Sequence, residues 1–118
     1  DNIRYSPSGK FLYIGMSTKN SKPFSLLHFF YQYPPFLRET IAKFLPLKYA
    51  HILAPKYGIV CVLDASTAEY KKLLQDPSGR NPFLSEGAIH PYNKIMYLLS
   101  YKNKFLGKVS IDNIDEIY

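Results

Sequence analysis

Leu47 to Asp64 reads LKYAHILAPKYGIVCVLD, two apolar runs on either side of a Pro-Lys-Tyr-Gly corner. Tyr49–Leu53 and Gly58–Leu63 have the length and β-branched content of strands, and Ala54–Tyr57 is all that joins them. A link that short predicts antiparallel neighbours, because a parallel pair needs a crossover of a dozen residues or more.

Downstream, Ser66–Glu69 is STAE, a capping-box pattern, and Tyr70, Leu73 and Leu74 add an apolar stripe. The expectation is a short helix over 67–75, stopped by Pro77. Residues 76–93 are crowded with turn signals: Asp76-Pro77-Ser78-Gly79, Asn81-Pro82, Glu86-Gly87 and His90-Pro91. They predict a long loop that is either a contact surface or is packed down by Phe83, Leu84 and Ile89. Residues 95–101 (IMYLLSY) and 104–111 (KFLGKVSI) read as a hairpin turning at Lys102-Asn103, and Ile111, Ile114 and Ile117 have helical spacing in a tail that docks.

Upstream, Ile3–Met16 is a hairpin around Ser6-Pro7-Ser8-Gly9. Residues 17–23 are a polar loop. The pattern turns helical at Phe24, breaks at Tyr33-Pro34-Pro35, and restarts near Pro35 with Phe36, Leu37, Ile41 and Phe44 at helical spacing until Pro46. The architecture expected is α+β: a single protein-interaction domain over 1–118, with a mixed or antiparallel sheet, a helical insert at about 24–45, the long loop at about 76–93, and room for a bilobed shape.

The 118 residues are 47% hydrophobic, 16% aromatic and 20% charged, the composition of one folded core rather than of a disordered linker. Cys61 is the single cysteine, so no internal disulfide forms, and its apolar surroundings suit a small buried hydrophobe in a reducing compartment. No apolar run approaches the roughly 18 to 20 residues of a membrane span, and no signal-peptide pattern opens the chain. It is expected to be soluble and, beginning at Asp1, a fragment of something longer. The net charge of +6 is uneven, since the three acids and no base of residues 109–118 leave the rest at +9. The lysines are scattered, with no basic tract, which favours a moderately basic solvated surface over a nucleic-acid arm.

Local signatures of catalysis are missing: there is no zinc-protease helix, no nucleophile elbow and no phosphate-cradling glycine loop. His28, His51 and His90 show no metal-ligand spacing, and Asp64 is read as opening the turn to Ser66. The expectation is a non-enzyme with no cofactor and no metal. Leu12–Met16 and Lys56–Val62 resemble the two signature strands of an RNA-recognition motif, in which Tyr13 and Tyr57 could stack on bases, although Ile59 fills an aromatic position. Tyr31, Tyr33, Pro34, Pro35 and Phe36 are either an aromatic contact patch, with Arg38 a turn away, or a bend over the core.

Leu53–Val60, the capped segment after it, Ile95–Leu106 and Asp112-Asn113 together resemble the origin-recognition-complex-interacting region of the yeast silent information regulator one family, over roughly residues 45–118. That resemblance implies a nuclear, non-enzymatic adaptor in transcriptional silencing and heterochromatin establishment. Its partners would be the bromo-adjacent homology domain of the largest origin recognition complex subunit and other silencing regulators, with indirect or weak nucleic-acid contact and no membrane. Arg4, Tyr5, Tyr31, Tyr33, Phe36 and Arg38 are the expected partner-binding residues, as exposed Tyr, Phe and Arg near the junction of helical insert and sheet. The alternative is an RNA-recognition-motif-like domain that binds nucleic acid directly.

Overall fold

A computed structural model describes residues 2–17, 31–44 and 55–111. The chain divides into two compact units, one made of residues 1–18 and 56–118 and the other of residues 19–55.

The first unit holds two antiparallel meanders. In one, β1 (Ile3–Tyr5), β2 (Phe11–Met16), β3 (Gly58–Asp64) and β4 (Tyr70–Asp76) lie in sequence order, and in the other β5 (Leu84–Ile89), β6 (Ile95–Ser100) and β7 (Gly107–Ser110) do the same. Every strand pair is antiparallel, so the sheet expected to be mixed or antiparallel is the latter among the described residues.

The β1–β2 turn forms where the sequence placed it. Ser6 exchanges backbone hydrogen bonds with its neighbours, donating to the Phe11 carbonyl (2.8 Å) and accepting from Gly9 N–H (2.9 Å), while its hydroxyl accepts from Phe11 N–H (3.2 Å). Gly9 takes φ +73°, a conformation that a side chain would strain.

Three expectations are corrected. First, β3 is flanked by β2 and β4, which leaves it no side for the antiparallel neighbour expected at Tyr49–Leu53; those residues themselves lie outside the described ones. A four-residue link made the local partner look inevitable, yet the sheet gives β3 the longer six-residue pairing with β2, from Phe11↔Asp64 to Met16↔Ile59. Second, residues 70–76 are strand, not helix. The Asp64 carboxylate accepts from Ser66 N–H (2.9 Å), Ser66 O–H (2.6 Å) and Thr67 N–H (3.1 Å), drawing those donors into a turn before a helix can use them. Ala68 then takes φ +58°, and Asp64 N–H donates to the Glu69 carbonyl (2.9 Å), so the chain folds back along β3. Third, the loop expected at 76–93 contains β5; its turn residues occupy only 77–83 and 90–94.

The final hairpin forms as β6 and β7, with a longer connection, Tyr101–Leu106, than the two-residue turn expected. Ile111 is buried, and the rest of the tail lies outside the described residues.

Strand alternation puts one face of each meander into a shared core. Tyr13, Val60 and Val62 from β2 and β3 meet Leu84, Met96, Leu98 and Ile111, with Phe11, Leu74 and Ile89 packed against them. Burial of each such side chain contributes on the order of 2 kcal/mol. In the second unit, α1 (Pro35–Phe44) starts where Pro34 interrupts the chain, and the Pro34 carbonyl accepts from Leu37 N–H (3.0 Å) and Arg38 N–H (3.2 Å). No residue of α1 is buried. The remainder of the expected insert, 24–30 and 45, lies outside the described residues.

Candidate functional site

The sheets meet through a polar clasp beside the core. Glu86 on β5 is buried, and its carboxylate accepts hydrogen bonds from Asn2 Nδ2 (3.2 Å) and from Arg4 Nε on β1. The Asn2 N–H donates to the Ser85 carbonyl (2.8 Å), so β1 is tied to β5 by backbone as well as side chain. This gives Arg4 a structural role in addition to any contact with a partner. A sequence reading passes over it, because Glu86-Gly87 looks like turn punctuation.

The six expected contact residues fall into two groups. Arg4 and Tyr5 lie on β1, and Tyr5 is two-thirds exposed. Tyr31, Tyr33, Phe36 and Arg38 lie in the second unit, with Tyr31 and Phe36 well exposed and the Arg38 guanidinium 6.0 Å from the Tyr31 ring centroid. That distance is a cation–π contact at its outer limit.

The groups most suited to chemistry are engaged in making turns. Asp64 is held down at about 2 by the Ser66 hydroxyl and then by the backbone N–H groups of Ser66 and Thr67. Asp76 is lowered chiefly by the Ser78 hydroxyl, and it also accepts from Asn81 N–H (3.0 Å). The His90 Nδ1 accepts from Tyr92 N–H (3.2 Å), whereas His28 and His51 lie outside the described residues. An open cleft of about 540 Å³ runs between β3–β4 and β6–β7, lined by apolar core residues together with Asp76, Arg80 and Asn81. Among the described residues no three His, Cys, Asp or Glu side chains converge as a metal site.

Tyr101–Leu106, where the sequence predicts a hairpin turn at Lys102-Asn103, presents apolar side chains to solvent. Tyr101, Phe105 and Leu106 are 68%, 55% and 56% exposed, and Lys102 and Lys104 lie between Tyr101 and Phe105. The loop is pinned to a buried ring: Lys102 Nζ sits 4.8 Å from the Phe83 centroid, and the Tyr101 ring is tilted against Phe83 at 6.4 Å. Asn103 Nδ2 donates to the Pro82 carbonyl (3.2 Å), and the Ser100 hydroxyl accepts from Lys102 N–H (3.2 Å) and Asn103 N–H (3.3 Å). The available signal was the pair of large apolar residues that follows the basic turn in YKNKFL.

No protein-family model matches the chain, and no solved structure does. Among curated proteins it is similar to the adipocyte plasma membrane-associated protein of several vertebrates. The Homo sapiens protein is 33% identical over 116 residues, covering 97% of this chain and 27% of the relative. For Gallus gallus the identity is 31% over 116 residues, with the same coverage, and for Rattus norvegicus 29% over 115 residues, covering 97% of this chain and 30% of the relative. The chain thus spans less than a third of the length of these relatives.

These relatives overturn the resemblance to the silencing family. Similarity through nearly the whole chain outweighs short motifs, and the capped segment within those motifs is a strand edge rather than a helix. The origin recognition complex subunit, the silencing regulators, the chromatin role and the nuclear location fall with it. So does the expectation of no membrane, since the relatives are named for the plasma membrane. The RNA-recognition alternative is not supported either: Tyr13 is wholly buried between the sheets and cannot offer its ring to a base.

Proposed function

We propose that this chain is part of a protein that works at the plasma membrane, and that it serves there as a binding and scaffolding stretch without a catalytic centre of its own. The observation that carries this reading is the similarity to the Homo sapiens adipocyte plasma membrane-associated protein, which extends over 97% of the chain and so takes in both meanders. The engagement of Asp64, Asp76 and His90 in their own turns supports the non-catalytic part. Tyr5, Tyr31 and Phe36, each more than half exposed, are the anchors best suited to a protein contact, with Arg4, Tyr33 and Arg38 beside them. No helix among the described residues is long and apolar enough to cross a membrane.

Fractionation of cells producing the tagged protein that carries this chain tests the reading. Recovery with plasma-membrane markers is the expected result, and recovery with nuclei or cytosol overturns it.

A further inference from the structure

We propose that the β6–β7 loop, Tyr101–Leu106, is a lipid contact, in which Phe105 and Leu106 enter the headgroup region of an anionic bilayer while Lys102 and Lys104 pair with lipid phosphates. The inference rests on the plasma-membrane reading above and names the surface involved.

Three large apolar side chains within six residues, each more than half exposed at a hairpin end, are an unusual use of a turn that solvent would otherwise fill with polar groups. Their exposure is not a matter of looseness. The Ser100 hydroxyl, the Asn103 side chain and the buried Phe83 ring hold the loop base, so the tip is presented on a preformed platform and little ordering remains to be done on binding.

The charge around the tip has the matching sign. Asn81 lies between the starts of β3 and β7, since added Cβ atoms at Gly58 and Gly107 would each run into it. This juxtaposition gathers Lys56, Arg80, Lys102 and Lys104, all exposed, at one end of the two sheets. Among the described residues the acids near that end are Asp76, which accepts from Ser78 and Asn81 and keeps its charge, and Glu86, which is paired with Arg4, so the four exposed cations outnumber them. Apolar tips flanked by an excess of cations are the pattern of interfacial membrane binding, where insertion and attraction to anionic headgroups add together. A protein partner needs a surface of roughly 800 Å² on each side, far more than one hairpin end presents. Single-stranded nucleic acid needs open aromatic faces in a row, and here the Phe83 face is taken by Lys102.

The test is co-sedimentation of the full chain with vesicles of about three parts phosphatidylserine to seven parts phosphatidylcholine, against pure phosphatidylcholine vesicles. Binding to the first and not the second, weakened as salt is raised, is expected. The pair Lys102→Glu with Lys104→Glu, and separately Phe105→Ser with Leu106→Ser, should each weaken it by about tenfold or more, since both attraction and insertion are required. All four substituted positions are exposed, and an unchanged circular dichroism spectrum with an unchanged urea midpoint keeps a folding defect from counting as lost binding. Variants that bind like the parent chain overturn the proposal, as does binding to RNA alone. Failure here while the tagged protein still fractionates with plasma membrane removes this loop and leaves the functional reading standing. Vesicle binding by a protein absent from that fraction overturns the cellular reading and sustains the contact.

Discussion

Gly15 of β2 lies directly against the Ser85–Glu86 peptide of β5, with no room between them for a Cβ atom. The two meanders can approach this closely only because the side chain is missing, and the same strand face continues through Tyr13 into the core.

Gly15→Ala should therefore destabilise the chain by about 2 to 3 kcal/mol, because the obstacle is backbone and cannot swing away. Gly9→Ala is the control: nothing lies within 4 Å of an added Cβ there, and only the positive φ costs, at about 1 kcal/mol. Urea unfolding followed by circular dichroism compares them, and equal midpoints would refute the close-approach argument.

The Glu86 clasp makes a second prediction. Arg4→Ala leaves a carboxylate buried with Asn2 as its remaining partner, whereas Arg4 itself is mostly solvated. A double-mutant cycle between Arg4→Ala and Glu86→Gln should give a coupling of about 1 kcal/mol, discounted for the exposed arginine. A coupling near zero would mean that the backbone bond from Asn2 alone ties β1 to β5.

Acid sensitivity should trace to the β3–β4 turn. Asp64 is held below its unfolded value by the Ser66 hydroxyl and by neighbouring N–H groups, so its contribution is complete above the unfolded value of about 4 and is lost as the pH falls through about 2. Asp64→Asn should show a smaller loss of stability across that window than the parent chain. Urea midpoints measured from pH 5 down to about pH 2 check this, and parallel curves would contradict it.

Cys61 offers a probe of the sheet. Burial raises its thiol above the ordinary range, which lowers the thiolate fraction at neutral pH. Iodoacetamide labelling should be slow in the folded chain and should rise to the rate of a free cysteine in urea. Fast labelling without denaturant would show that β3 opens readily.

Much of this architecture is legible in short stretches. Ser6-Pro7-Ser8-Gly9 announces the first hairpin, Pro34-Pro35 announces the start of α1, and the apolar runs at 95–101 and 104–111 announce the last hairpin. The misreadings fall where local signals admit two outcomes. STAE caps a helix unless a carboxylate two residues earlier takes its donors, as Asp64 does. Glu86-Gly87 breaks a strand unless a neighbouring sheet needs a glycine there, and Gly87 faces Val60 across the interface. The candidate surface was hidden for a related reason: Lys102–Lys104 looked like ordinary turn chemistry, and only the exposure of Phe105 and Leu106 on an anchored base distinguishes it.

From the sequence alone come the turns, the first and last hairpins, the proline-started helix, a single cysteine kept from any internal disulfide, and a basic surface. These follow from residue-level chemistry: which side chains permit positive φ, which lack an N–H, and which alternate in polarity. The partner of β3, the strand identity of 70–76 and 84–89, the burial of Tyr13 and the clasp on Glu86 were decided by the tertiary structure. Each depends on what lies across a ladder or an interface from residues distant in the chain, and a strand's free edge takes the partner that lets both sheets bury a common face.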